Sequence, residues 1–503
     1  MPVNSNATTS TPLPAASETA GIAGVSASLR WWRAFGGAWQ ADWRERRRDW
    51  RVWLVAGLGM VLALCAGTLA ALDLKNTLEA RHVAGQAEQQ RWSQQGKKYP
   101  HSAAHYGVYV FKPLPALAAL DPGVERYVGS SVWLEAHKQN ELVYRPAGDE
   151  PDAARQFRLT PALLLQVLAP VAMIFLGFGM FAAERERGTL AALRVNAAPL
   201  GAIGAARAAV LVCLAALIAL PACGAVALVK WQSGAADPFT DGALRGALFG
   251  AGYLLYLATW AAIITAVSAW AASTRASLAA LIALWAGTVL VLPRAAVELA
   301  QSAAPLPSMQ QFRQAIDADL GMPDDPEEAE RHKRQLLKEY QVSDVRDLPV
   351  NWAGISLARG EAHGDKVFDQ HYGRLFDALR RQSDAAALAG WISPAVAAAG
   401  WSSYLAGSDT ASHLEFVASA EQQRRRMQTV LNDAITRHPE RDGRRHDGDE
   451  QLWNSIPPFH FTFAPVRWDH LMMKYLLPLL ASLGASLLLA FLGIRRLRQG
   501  SLR

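Results

Sequence analysis

The sequence has few cysteines and few charges for its length. Of its 503 residues only three are cysteine, and Asp, Glu, Lys and Arg together make up 19% of the chain. Cys65, Cys213 and Cys223 all lie in apolar runs, so the polar segments contain no cysteines for a disulfide framework or a metal site. With 51% hydrophobic residues but a mean hydropathy of only +0.06, the composition is typical of a membrane protein that carries large polar domains.

The sequence also lacks the motifs of common enzymes. Its one Gly-Lys pair, Gly96-Lys97, has Arg91 where a phosphate-binding loop needs its first glycine, so there is no Walker A sequence. It contains no His-Glu-x-x-His zinc pair, and the nearest approach to a nucleophile elbow, Gly354 to Ala358, lacks the final glycine. We therefore expect a protein that is not itself an enzyme and binds no cofactor of its own.

Six apolar runs are long enough to cross a bilayer, for which a helix needs roughly 17 to 25 residues. They are residues 52–72, 161–183, 208–229, 247–271, 277–293 and 475–494. If the segment before the first run is cytoplasmic, the segments on that side carry a net charge of +10 and those on the other side −4. This bias agrees with the positive-inside rule and predicts that both termini, including residues 495–503, face the cytoplasm.

The segment before the first span divides into two parts. Residues 1–29 are rich in Ser, Thr, Ala and Pro, which indicates a disordered cytoplasmic tail rather than a signal peptide. Residues 30–51 alternate aromatic and basic side chains, which predicts an amphipathic helix in the headgroup layer. A simple positive-inside anchor and a coupling helix remain open as alternatives. The predicted interface residues are Trp31, Trp32, Trp39, Trp43, Arg46, Arg47 and Arg48.

The second apolar run passes without a spacer into a charged loop. Four charged side chains cannot stay in hydrocarbon, so they mark the end of the span. A simple stop would not require the glycine that follows, which permits a sharp turn, or the apolar side chain after it. A coupling role is favoured for these residues largely because they resemble a known family of membrane proteins. The residues concerned are Glu184, Arg185, Glu186, Arg187, Gly188, Thr189 and Leu190.

An apolar span that runs into Glu-Arg-Glu-Arg-Gly-Thr-Leu resembles the second transmembrane helix and first cytoplasmic loop of ABC-2 type transporter permeases. The resemblance implies an all-α polytopic membrane protein of the inner membrane, with six transmembrane helices in a type V exporter-like architecture. It further implies that residues 184–207 dock on a separate ATPase subunit, which binds ATP and Mg²⁺. A second permease copy or a paralogue would complete the pathway.

Two long polar segments, residues 73–160 and 294–474, are predicted to lie outside the cytoplasm. The second contains helical patterns over 367–379 and 414–435 and a helix start at Pro326. Because such helices must bury one face, we expect both segments to form one mainly helical extracytoplasmic domain. The alanine-rich stretch 385–406 is predicted to pack in this domain or on the membrane surface, since a seventh span would place the C-terminal arginines outside.

Short pieces of these segments resemble a subfamily of ABC-2 permeases that has a large periplasmic insertion and no assigned function. Members occur beside an ATPase, commonly near metallophore-receptor genes, and the subfamily offers no binding signature for a cargo. The pieces are His101-Ser-Ala-Ala-His105, Leu120-Asp-Pro-Gly123, Leu134-Glu-Ala-His137, Ser393-Pro394 and Leu405 to Thr410, ahead of Phe416 and Arg424.

His101 and His105 are candidates for binding a transition metal. On a helix their spacing would place both imidazoles on one face. The run Val108 to Phe111 after Gly107 instead indicates an extended segment nearby. His82 and His137 are near in sequence, but no third ligand can be placed, so ordinary hydrogen-bonded histidines are the simpler interpretation and no metal site is assigned.

Two functional hypotheses follow. The first is a permease subunit that exports its cargo. Because the spans contain no strongly polar ring, the expected cargo is lipophilic or amphipathic. The family resemblance includes a metallophore-related substrate within this class. The second is a scaffold that transports nothing and relays ATPase motion to a periplasmic partner. In both, the partners are an ATPase, a second permease chain and the lipid membrane, and no nucleic acid is expected.

Overall fold

The computed structural model of the chain describes residues 16–145, 148, 158–321, 326–439 and 445–499. Within these residues, six helices are long and apolar enough to cross a membrane, and we number them spans 1 to 6. Most of the rest of the described chain is also helical and very little of it is strand, which confirms the predicted all-α membrane class. The spans are Trp50–Ser93, Pro161–Glu186, Leu200–Ser233, Gly242–Trp270, Thr274–Ala303 and Trp468–Gln499.

Span 1 extends far beyond the apolar run that predicted it. Its 44 residues correspond to a helix about 66 Å long, about twice the thickness of a bilayer core. The residues after Leu72 include many Ala, Glu and Gln, which favour helix without favouring hydrocarbon. Hydropathy therefore detects only the first half of this helix.

A long N-terminal helix, Ala16–Arg48, precedes span 1. It includes residues 16–29, so the prediction of a disordered tail over that stretch is wrong, and residues 1–15 lie outside the described part. The many alanines between Ala16 and Leu29 favour a helix once the following residues nucleate one. Asp49 then breaks the helix and caps span 1, because its carboxylate accepts a 3.0 Å hydrogen bond from the Arg51 N–H.

Spans 2, 3, 5 and 6 pack against span 4, whose Tyr256 and Trp260 are completely buried. Spans 1 and 3 approach each other closely at Gly67, where an added Cβ would lie 2.4 Å from the Ala222 Cα. Small residues allow helix backbones to pack at such distances inside a membrane. We call the end of the bundle near residues 184–190 the loop end, and the opposite end the domain end.

The extramembrane domain is built at the domain end from both polar segments and the extension of span 1. Trp92 and Val110 from the first part share one core with Phe416, Met427 and Trp453 from the second. Strand β1 (Val108–Phe111) pairs antiparallel with β2 (Ser131–Leu134). The main helices of the extramembrane domain are α1 (Pro100–Tyr106), α2 (Met309–Leu320), α3 (Pro326–Glu339), α4 (Trp352–Ala387), α5 (Pro394–Ala406) and α6 (Thr410–Thr436). Two short helices cover Ala116–Leu120 and Glu450–Ser455.

Helix α5 inserts among the spans, which corrects the prediction for residues 385–406. Ser393 Oγ donates to the Thr288 carbonyl of span 5 at 2.6 Å, and Trp401 Nε1 donates to the Leu248 carbonyl of span 4 at 2.9 Å. The chain reverses just before α5, at the short 3₁₀ turn Leu388–Trp391. Irregular backbone is tolerated at such a place when protein surrounds it. The stretch is therefore a hairpin that enters the bundle, and it does not form a seventh span.

Candidate functional site

The charged loop at the loop end is a tight turn between two helices. Span 2 ends at Glu186, and a short helix, Thr189–Val195, follows it. Between them Gly188 has a φ of +75°, a left-handed conformation that favours glycine. Gly188 thus lies in a sharp turn, the conformation that the sequence analysis expected a glycine to permit there.

Glu184 and Arg185 point back into the bundle. The Glu184 carboxylate accepts a 2.7 Å bond from Arg207 Nη2, and Arg207 also donates to the Met180 carbonyl. Arg185 donates to the carbonyl of Ala269, at 2.9 Å, and to that of Ala271. These two predicted coupling residues brace spans 2, 3 and 4 against one another.

Glu186 caps the beginning of span 5. Its carboxylate accepts 2.9 Å hydrogen bonds from both the backbone N–H and the hydroxyl of Thr274. A carboxylate at this position satisfies an otherwise unpaired helix donor and interacts favourably with the helix dipole. Glu186 therefore links the charged loop to span 5 while remaining exposed to solvent.

The remaining loop residues form an exposed surface with a buried anchor. Leu190 is only 4% exposed and lies in the core of the bundle, whereas Arg187, Gly188 and Thr189 are exposed. Val195, at the end of the short helix, is 74% exposed, and the sequence analysis did not single it out. We call the exposed set the loop face, which consists of Arg187, Gly188, Thr189, Ala191, Ala192 and Val195.

The N-terminal helix carries a ladder of aromatic rings along one side. Trp31 stacks on Phe35, Phe35 on Trp39 and Trp39 on Trp43, with ring centroids 5.6 to 6.3 Å apart. Trp32 is 63% exposed and extends this aromatic surface, and Arg47 and Arg48 are also exposed. Amphipathic rings beside arginines are typical of a helix in the headgroup layer.

Arg46 differs from the other predicted interface residues because it faces the bundle. Its guanidinium bonds the Asp42 carboxylate at 2.6 Å and the Leu176 carbonyl at 3.2 Å. Asp42 in turn lies 4.0 Å from Arg207. We name Asp42, Arg46, Glu184 and Arg207 the loop-end network. Asp42 and Arg207 were missed in the sequence, although Arg207 is a lone charge in a long apolar stretch, which is a usable signal.

An apolar cleft lies between spans 1, 2 and 3. Its volume is about 240 Å³, and none of the described residues that line it is charged. Phe249 and Tyr253 of span 4 close it on one side. Representative lining residues are Val55, Leu62, Leu168, Ala172, Leu211 and Ile218.

A buried polar junction lies near this cleft on the side of the extramembrane domain. The Gln166 amide of span 2 donates to Asp121, Tyr253 and Ser402 at 3.3, 2.9 and 3.2 Å, and Ser402 also donates to the Asp121 carboxylate. Burial raises the pKa of Asp121, although hydrogen bonds from Ser402, Gly123 and Gln166 oppose the rise. The Asp121 junction thus ties the extramembrane domain to spans 2 and 4 and to helix α5.

Three histidines meet in the extramembrane domain. His101 and His105 lie on α1, and His137 follows β2; their ring centroids are 4.7 to 5.0 Å apart. Burial, followed by the neighbouring His137 and His105, lowers the pKa of His101. His82, the other histidine noted in the sequence, lines a separate cavity. The third member of the cluster comes from a turn that only the fold brings near.

Two sequence profiles match the chain. That of the ABC-2 family transporter protein family matches residues 39–337, which is more than half of the chain. That of a domain of unknown function, DUF3526, matches residues 309–462, which contain most of the helices of the extramembrane domain. No curated protein and no solved structure matches.

Proposed function

The chain belongs to the ABC-2 transporter family and is of the membrane permease type, and on that premise we propose that a separate ATPase drives it to export a lipophilic or amphipathic cargo. The apolar cleft carries this proposal. A cargo that binds between spans 1, 2 and 3 meets only uncharged side chains, so an ion or a strongly polar solute would lose its hydration there without compensation.

In this proposal the loop end faces the cytoplasm. The exposed arginines of the N-terminal helix suit the cytoplasmic leaflet of an inner membrane. The loop face supplies an apolar patch beside Arg187 for the ATPase, and its anchor Leu190 reaches the bundle core. Motion of the ATPase would therefore pass directly to spans 2 and 3 through the loop-end network. A second permease copy or paralogue completes the pathway.

Copurification tests the ATPase partner. The full chain carries a tag and is extracted with its neighbours in mild detergent, as wild type, Arg187→Glu and Val195→Asp. Both variants change exposed side chains, so the fold should persist while the ATPase subunit is lost. Lys97→Glu, a charge reversal at another exposed position, in the extramembrane domain, is the matched control and should retain the partner. Glu186 is unsuited because it also caps span 5.

A cleft-filling variant tests the cargo. Ala172→Trp fills the cleft, whereas Leu488→Trp adds the same ring at an exposed position of span 6. In proteoliposomes that contain the ATPase, lipophilic compounds should stimulate ATP hydrolysis in wild type and Leu488→Trp but not in Ala172→Trp. Equal stimulation of all three proteins would show that the cleft is not the cargo site.

One observation favours the scaffold as a second candidate function. Span 1 is a continuous helix from the loop-end side into the extramembrane domain, where Trp92 Nε1 donates to the Trp453 carbonyl at 3.0 Å and Trp453 Nε1 to the Gly96 carbonyl at 2.9 Å. Such a helix can relay motion without any cargo. If Ala172→Trp abolished stimulation by cargo but cells kept the protein's function, the scaffold would be the better description.

A further inference from the structure

The imidazoles of His101 and His105 already have the separation of two ligands on one ion. Their Nε2 atoms are 3.2 Å apart. Two ligands at about 2.05 Å from a tetrahedral metal would be separated by about 3.3 Å. The spacing of one helical turn on α1 produces this pair, because residues i and i+4 lie on the same face.

The turn after β2 brings His137 to this pair and is held on both sides. The Ala136 N–H donates to the Ala104 carbonyl of α1, and the Ala136 carbonyl accepts bonds from Arg424 and Gln428 of α6. Arg424 is only 1% exposed and is neutralised by Asp365 and Glu421. The backbone at His137 is thus fastened to both helices that flank the cluster.

The Glu361 carboxylate of α4 lies beside the His137 ring. The Glu361 carboxylate lies 3.1 Å from His137 Nδ1 and accepts a hydrogen bond from the Asn432 amide, and Glu361 is only 8% exposed. A carboxylate on one ring nitrogen fixes the tautomer and leaves the other nitrogen's lone pair free. Histidines that bind metals almost always have such a partner.

From this geometry we propose that His101, His105 and His137 bind one divalent transition-metal ion, with Zn²⁺ as the ion best suited to three imidazoles. Their ligand atoms all lie within 4.8 Å of one another, and side-chain rotation of the exposed His105 can bring them closer. Three protein ligands leave the fourth position of a tetrahedral ion open to solvent.

The charges around the cluster are mixed. Glu361 favours a bound cation, whereas Arg445 opposes it, as both act on His101. All three ligands come from the first polar segment, whereas the neighbouring Glu361 and Asn432 belong to the second. This site is independent of the cargo cleft, which lies between the spans.

Zinc binding to the purified full chain tests the proposal. The protein is isolated with a tag that contains no histidine, stripped of metal, and titrated with Zn²⁺ by calorimetry; Co²⁺ gives a parallel readout through the visible absorption of a tetrahedral site. Wild type should bind one ion per chain. His105→Gln should weaken binding at least 10-fold, and Glu361→Gln about 10- to 100-fold, because it removes the supporting carboxylate but no ligand.

His82→Gln is the matched control, since His82 is exposed on span 1 and outside the cluster; it should bind Zn²⁺ as wild type does. The metal-free melting temperature of each variant checks folding, and Zn²⁺ should raise it for wild type but not for His105→Gln. The proposal is overturned if wild type binds no Zn²⁺ stoichiometrically, or if His105→Gln binds it as tightly as wild type.

Discussion

Arg207 of span 3 donates to the Glu184 carboxylate of span 2 at 2.7 Å, and this bond separates two kinds of residue in the charged loop. Glu184 and Arg185 face the bundle and hold its helices together. Arg187 and Val195 face the solvent and are available to contact another protein. A run that looks uniform in sequence thus combines a structural brace with an exposed surface.

The pairing of Glu184 with Arg207 should be measurable as a coupling between the effects of their substitutions on the free energy of unfolding. Both side chains of the Glu184–Arg207 pair are about four-fifths shielded from solvent, so removing one leaves the other inadequately paired. Glu184→Gln and Arg207→Met should each lower the free energy of unfolding, and a double-mutant cycle from thermal unfolding in detergent should give a coupling of about 0.5–3 kcal/mol. Glu45→Gln, an exposed change on the N-terminal helix, should have no effect. Strict additivity would contradict the pairing.

The inserted helix α5 should be sensitive to one methyl group on span 4. An added Cβ at Gly252 would lie 2.0 Å from Trp401 Nε1, whereas nothing lies within 4 Å of the same position at Gly250. Gly252→Ala should therefore destabilise the protein by about 1–3 kcal/mol, and Gly250→Ala should be neutral or slightly stabilising. Melting temperatures of the two variants, which differ only in position, provide the comparison.

Substitutions in the Asp121 junction should destabilise the protein to different extents, according to how many hydrogen bonds each one removes. Gln166→Leu removes the amide that serves three partners and leaves buried polar groups unpaired, at a cost of about 1–3 kcal/mol. Tyr253→Phe removes one hydroxyl and should cost less. Proteolysis of the extramembrane domain under native conditions should accelerate in the same order. If both variants resist proteolysis as wild type does, the junction does not hold the domain on the spans.

Acid should weaken the extramembrane domain through His413. Burial, with help from Lys112 and Arg145, lowers the pKa of His413 to about 3, and its Nδ1 is buried without a hydrogen-bond partner among the described residues. The unfolded chain takes up this proton near pH 6.5 but the folded one does not. The contribution of neutral His413 to the free energy of unfolding is therefore fully present above about pH 6.5. It is lost as the pH decreases below that value, by at most about 1.4 kcal/mol per pH unit.

The measurement for His413 is the melting temperature between pH 7.5 and 4.5. His413→Gln should lose less stability over this range than wild type. His460→Gln, which changes an exposed histidine, should follow wild type. A wild-type slope in His413→Gln would assign the acid sensitivity to other groups.

The sequence predicted the six spans because transfer into hydrocarbon requires long apolar runs. It could not predict where their helices end, since a polar helix outside the membrane continues an apolar one without a change of backbone. Residues after Leu72 show this, as do residues 16–29, where composition suggested disorder. Local pattern reports the surroundings of a residue more directly than its conformation.

Contacts between distant residues were beyond prediction for a different reason. His101 and His105 share a helix, so their spacing identified them, but His137 joins them only because Arg424 and Gln428 hold the turn before it. Asp42 and Arg207 likewise meet across 165 positions of the chain. Glu186 was singled out from its place in the charged run, but its bond to Thr274 depends on how span 5 begins.

The contact at Gly67 gives span 1 the properties of a lever. Gly67 touches Ala222 of span 3 and lies about 26 Å from Trp50 and about 39 Å from Ser93 along the helix. If the helix pivots there as a rigid rod, its far arm is about half as long again as its near arm. A small sideways displacement of span 1 close to the loop end then becomes a larger displacement in the opposite direction near Trp453. The position of the Gly67 contact therefore sets both the size and the direction of the movement.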